Sequence, residues 1–157
     1  MECLGELVYS ELEALQATYS EDELSCRQTC GPTGDKDATV AVHATVQPHT
    51  AHDESTKFVE LVVVFNLPLD YPEQPPGISI RDCKGVGDAR AAQLLGLLKA
   101  EAAGLLGELV LGHLIEVAKE WATQHNHPEG HCIFCLESME GGTVQLVKLP
   151  CFHTFHR

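Results

Sequence analysis

Five side chains near the carboxyl end carry the chemistry of this sequence: Cys132 and Cys135, two residues apart, then Cys151, His153 and His156 in a Cys-x-His-x-x-His run. Thiolates and imidazoles are soft donors that hold zinc in tetrahedral shells of four, and a Cys-x-x-Cys turn sets two thiolates at a suitable separation. Five donors are one more than a single site needs and three short of two sites. The segment therefore reads as a zinc-organised module cut off part-way, with Arg157 as its last residue. One alternative is a single finger built from Cys132, Cys135, His153 and His156. The seventeen-residue gap and the short His-x-x-His spacing fit a DNA-reading finger poorly.

Net charge argues the same way. At −13 over 157 residues, with ten scattered Lys and Arg, the chain lacks the clustered cations that grip a phosphate backbone, so no nucleic-acid partner is expected. No membrane partner is expected either. The most apolar region, residues 94–118, is interrupted by Lys99, Glu101, Glu108, His113 and Glu116. The first residues, Met-Glu-Cys-Leu-Gly-Glu, lack the basic start and apolar run of a secretory signal. Seven cysteines, of which Cys3, Cys26, Cys30 and Cys83 have no framework spacing, suit a reducing compartment where thiols serve metals; a cytoplasmic or nuclear location is expected.

The rest of the chain must carry the elements that position this cluster. Leu4, Leu7, Val8, Leu12, Leu15 and Tyr19 recur at helical spacing, so residues 4–19 are expected to form an amphipathic helix, with Glu11, Glu13 and Glu21 to Glu23 on a solvated acidic face. Gly31 to Asp35 is a turn by composition. From Ala38 the chain alternates, with Val40, Val42, Ala44 and Val46 on one face, which predicts a half-buried strand. Residues 59–65 are apolar on both faces and read as a central strand. Four prolines within residues 68–76 exclude that stretch from any sheet ladder, because each lacks a backbone donor. A short strand at 78–80 follows.

Gly85-Val-Gly87 has no third glycine and precedes Asp88, which would repel phosphate, so it is a loop and not a nucleotide cradle. Two helices are then expected, one with the stripe Ala91, Leu94, Leu95 and Leu98. The other carries Leu106, Leu109, Val110, His113, Leu114, Val117, Ala118 and Trp121, both stripes being core and His113 a satisfied core histidine. Residues 124–131 are polar and read as a linker, with His125, His127 and His131 solvated. The order of helix, about four strands and two helices predicts an α+β fold with a four-stranded antiparallel sheet.

Two stretches carry a family resemblance. The run from Glu11 to Glu23 resembles the opening helix of RWD domains, and Tyr71-Pro72-x-x-x-Pro76 resembles their Tyr-Pro-x-x-x-Pro loop, a likeness spanning roughly residues 2–123. The resemblance implies a docking module related in fold to ubiquitin-conjugating enzymes. Those enzymes follow a similar loop with His-Pro-Asn and a nucleophilic Cys; here Cys83 follows without that motif and is expected to be a plain thiol. The tail is similar to the first part of a two-histidine RING finger, with five of its eight ligands.

Together the two resemble RWD-containing RING-finger ubiquitin ligases, with residues 1–123 as the RWD domain, 124–131 as linker and 132–157 as an incomplete RING. The family pattern implies two zinc ions in a complete RING and at most partial occupancy here. Cys132, Cys135 and His156 would serve the first zinc and Cys151 and His153 the second. It also implies a charged ubiquitin-conjugating enzyme as partner, met by Ile133 and Phe134, and a protein substrate or docking partner on the RWD domain. Such a ligase has no nucleophile of its own and transfers ubiquitin to a substrate lysine by positioning. This chain alone is expected to be inactive, and an RWD adaptor without ligase activity is the other reading.

Overall fold

A computed structural model describes residues 6–29, 39–48, 57–68, 70–71, 73–126, 134–136, 146–148 and 154–156. The elements are α1 (Glu6–Thr18), β1 (Leu24–Thr29), β2 (Thr39–Val46), β3 (Glu60–Leu67), β4 (Gly77–Lys84), α2 (Asp88–Gly104) and α3 (Leu111–Gln124), then β5 (Leu146–Lys148) and β6 (Thr154–His156). The first four strands form one antiparallel sheet in sequence order, and β5 pairs with β6 in a separate ribbon. This is the expected α+β arrangement. Gly31 to Asp35 lie outside the described residues.

Alternation in β2 and β3 fixes the register and hence the core. Val42 stands opposite Phe65, Ala44 opposite Val63 and Val46 opposite Leu61, and all six are buried. Leu24, Cys26, Ile78 and Ile80 extend this face across β1 and β4. A slip of one residue would turn the whole set outward, so burial specifies the pairing. The three helices cover the same face with Val8, Leu12 and Leu15 from α1, Leu94, Leu98 and Ala102 from α2, and Leu111, Leu114, Ile115, Ala118, Trp121 and Ala122 from α3.

Four expectations are corrected. Leu7 is exposed, because the spacing Val8, Leu12, Leu15 sets the phase of α1 and Leu7 falls outside that stripe. Leu106 and Leu109 are also exposed, at 54% and 39%, as a turn through Gly107 separates α2 from α3. With α3 starting at Leu111, its buried face is phased from that residue. His113 consequently lies on the outer side, where it contacts Glu101 at 3.1 Å rather than the core. His125 is half-buried and stacked on Trp121 with ring centroids 4.4 Å apart, not solvated.

β4 runs to Lys84, well beyond the apolar 78–80. Val62 pairs with Arg81 and Glu60 with Lys84, so two residues of β4 oppose Leu61 alone. Asp82 sits there at φ 51°, a left-handed conformation that Asp tolerates better than most residues and that suits a bulge. Just beyond, Gly85 adopts φ +72°, and a Cβ built on it would lie 1.9 Å from the Phe58 carbonyl oxygen. The glycine expected only to make a loop is thus required by backbone contact with the segment entering β3.

Candidate functional site

The proline loop lies between β3 and β4, and its Tyr71 is buried at 4% exposure. Two turns shape it: the Tyr71 amide donates to the Pro68 carbonyl at 3.0 Å and the Gln74 amide to Asp70 at 3.1 Å. The Tyr71 hydroxyl donates to Glu11 Oε2 at 2.9 Å and accepts from the Val110 amide at 2.9 Å. Glu11 Oε1 accepts from the Leu111 amide at 2.9 Å. The first amides of a helix have no partner within the helix. Val110, at the start of α3, offers no side-chain cap. A carboxylate from α1 and a phenol from the loop supply it instead, where negative charge also meets the positive end of the helix dipole.

Glu11 is therefore no member of a solvated acidic face. Burial pushes its carboxyl above its ordinary value, against the hydrogen bonds from Tyr71, Leu111 and Gly112. Burial likewise drives the Tyr71 hydroxyl upward, with Glu11 reinforcing the shift, so the phenol stays protonated and able to donate. Pro76 is buried beside this junction; Pro72 lies outside the described residues. A second clamp holds the other end of α1. The Tyr19 hydroxyl donates to Glu116, and Lys119 Nζ sits 4.4 Å from the Tyr19 ring centre and 3.8 Å from Glu23.

Beside the Tyr71 junction is a shallow cleft. It is lined by the buried Tyr71, Pro76, Ala102 and Val110 and by Gln74, Pro75, Leu105, Leu106 and Glu108. A larger hollow of about 510 Å³ lies between α1 and β1, lined by Gln16, Tyr19, Glu21, Leu24, Ser25 and Cys26. Burial raises the Cys26 thiol above its ordinary value. Cys83 is exposed, and partial burial with Asp88 and Asp82 nearby raises its thiol too, which disfavours the thiolate a nucleophile requires.

The zinc-type donors are less fully placed. Cys135 is exposed in a turn with Phe134, which is 72% exposed, and Leu136 follows in the left-handed region at φ 62°. His156 ends β6 opposite Leu146 in β5. Cys132, Ile133, Cys151 and His153 lie outside the described residues. Among the described residues no group of three or more His, Cys, Asp or Glu could hold a metal ion, and no helix is long and apolar enough to cross a membrane. The fit to zinc rests on donor chemistry: three thiols and two imidazoles at a spacing that suits this metal.

Comparison with known proteins places this geometry. The chain is 35% identical over 147 residues, 94% of its length, to a human protein named E3 ubiquitin-protein ligase RNF25, of which 31% is covered. To the protein of that name from Danio rerio it is 37% identical over 149 residues, covering 95% of this chain and 28% of that one. The chain thus spans less than a third of the curated relatives it matches. The solution structure of the RWD domain of mouse GCN2 has the same fold, with a TM-score of 0.68 at 21% identity, covering 80% of this chain and 89% of that one. Residues 6–122 match the RWD domain family, and the chain belongs to it.

Proposed function

We propose that this chain supplies the RWD docking domain and the first five zinc ligands of a RING to a ubiquitin-protein ligase of the cytoplasm or nucleus. One observation carries the reading: likeness to relatives named as such ligases is not confined to the RWD domain. An alignment covering 147 of 157 residues omits at most ten, so it must run through Cys132 and Cys135.

In this reading Cys132, Cys135 and His156 hold one zinc, and Cys151 and His153 contribute to another. When bound, the metal cross-links segments too short to build a core, and in comparable small sites it supplies about 10–16 kcal/mol of folding free energy. The chain's own residues then act by placement. Ile133 and Phe134, between two thiolates, present an apolar contact to a charged ubiquitin-conjugating enzyme. The RWD domain holds the substrate or a docking partner near the thioester. Bringing lysine and thioester together replaces a bimolecular encounter and requires no acid–base group from this chain. With five donors of eight, residues 1–157 alone close neither zinc shell and do not transfer ubiquitin.

Discharge of ubiquitin from a charged conjugating enzyme to free lysine tests this. The full-length protein should accelerate discharge, Phe134→Asp should slow it about tenfold, as loss of an interface anchor does, and residues 1–157 alone should not accelerate it. Activity of residues 1–157 alone, or an unaffected Phe134→Asp protein, would contradict the proposal. Lack of discharge by the full-length protein would leave the RWD domain as an adaptor.

A further inference from the structure

The cleft beside Tyr71 has a mainly apolar lining that includes Glu108, a combination that selects its occupant. Leu106 is 54% exposed and Leu109 39%, in a turn where Gly107 at φ +86° holds the chain away from the core. Pro75 and Leu106 both line the cleft. Single exposed leucines are ordinary on a protein surface, but two within four residues beside an exposed proline form a patch of the kind partners cover. Both contributing segments are acidic. Glu108 lines the cleft, Glu73 precedes the lining residue Gln74, and no Lys or Arg is among the lining residues. Asp70, Glu73 and Glu108 are all exposed.

We propose that this cleft is the docking surface of the domain and that it takes a basic segment, a branched aliphatic anchor flanked by Lys or Arg. The anchor covers Leu106 and Pro75, and the flanking cations meet Glu73 and Glu108. An acidic partner would meet the like charge of Glu73 and Glu108, so charge sets specificity while apolar burial supplies affinity. The cleft is too shallow to enclose a side chain, so the anchor lies across its surface, and the Tyr71–Glu11–Val110 bonds tie the proline loop to the start of α3 before any partner arrives. This inference rests on the docking role proposed for the RWD domain. Free-lysine discharge needs no docked substrate, so the ligase reading and this one can fail independently.

The test is an NMR titration of the isotope-labelled 157-residue chain with a six-residue peptide bearing Leu-Leu between Lys-Arg pairs. Its counterpart with Glu at the four basic positions is the control. The cationic peptide should shift amide signals of residues 105–110 and 73–74 and bind more weakly in high salt. Glu108→Lys and Leu106→Ser should each weaken it about tenfold, and neither residue is buried, so the fold is kept. Equal binding of the acidic peptide, shifts confined to other surfaces, or no shift at millimolar peptide would overturn the proposal. So would a concentration-dependent dimer that Leu106→Ser abolishes, which would assign the cleft to a second copy.

Discussion

The Tyr71 hydroxyl and the Glu11 carboxylate meet at 2.9 Å although sixty residues separate them in the chain. Through this one contact α1 and the proline loop together cap α3, since Tyr71 also receives the Val110 amide and Glu11 the Leu111 amide. Tyr71→Phe removes the hydroxyl and nothing else. It leaves a buried amide without an acceptor and takes a donor from a half-buried carboxylate. The expected loss is about 1–3 kcal/mol in urea unfolding; a change below about 0.5 kcal/mol would show that the junction does not stabilise the fold.

Glu11 gives this junction a pH signature. Its folded-state value is raised, so the folded protein takes up the proton before the unfolded chain does, and this group favours folding increasingly as pH falls. Its contribution is fully present below the unfolded-state value and is lost as pH rises through the raised one. Glu23 runs the opposite way. Its carboxyl is lowered, first by the Ser20 amide and then by Lys119, and its contribution is lost on acidification. Glu11→Gln removes only the first effect. The stability of the parent protein minus that of Glu11→Gln should therefore rise as pH is lowered from 7 toward 4, measured by denaturant unfolding. A difference that falls would reverse the assignment.

Two glycines with positive φ should respond differently to alanine. At Gly107 a Cβ meets nothing within 4 Å, so only the left-handed backbone is penalised, by about 1–2 kcal/mol. At Gly85 the Cβ would also collide with the Phe58 carbonyl, and a loss of about 3 kcal/mol or more is expected. Thermal unfolding of the two variants should rank Gly85→Ala well below Gly107→Ala; equal melting temperatures would contradict the close approach at Gly85.

What could be read from the amino acids alone follows periodicity. β2 is legible because Val40, Val42, Ala44 and Val46 alternate, β3 because its run is apolar on both faces as an inner strand requires, and the proline loop because four missing donors exclude a strand. β1 was counted but not located. Leu-Ser-Cys-Arg-Gln-Thr has a single β-branched residue and follows an acidic turn, so its strand character comes from pairing with β2, a tertiary effect. In the stripe from Leu106 to Trp121, Val110, Leu114, Ala118 and Trp121 are buried, whereas Leu106, Leu109 and His113 are not, because Leu106 and Leu109 continue an apparent helical spacing through the Gly107 turn. The Tyr71 motif was recognisable, yet its partner Glu11 was not, since nothing local pairs positions sixty residues apart. At the donor cluster, the zinc proposal rests on residue types and spacing, and of the five donors Cys135 and His156 fall among the described residues.

Metal release should separate the two parts of the chain. The RWD core contains no zinc-type donor set among its described residues. In the full-length protein a strong chelator should therefore leave the unfolding midpoint of the RWD core unchanged while altering amide signals of residues 134–136. A large drop in the midpoint on chelation would mean that the core depends on the metal.

The most direct measurement is zinc stoichiometry of the full-length protein by mass spectrometry under native conditions, alongside the Cys132→Ser/Cys135→Ser and Cys151→Ser/His153→Ala proteins. Two zinc ions in the parent and one lost in each double variant are the result expected of paired shells that share this segment. A parent without zinc, or double variants that both keep two ions, would contradict it.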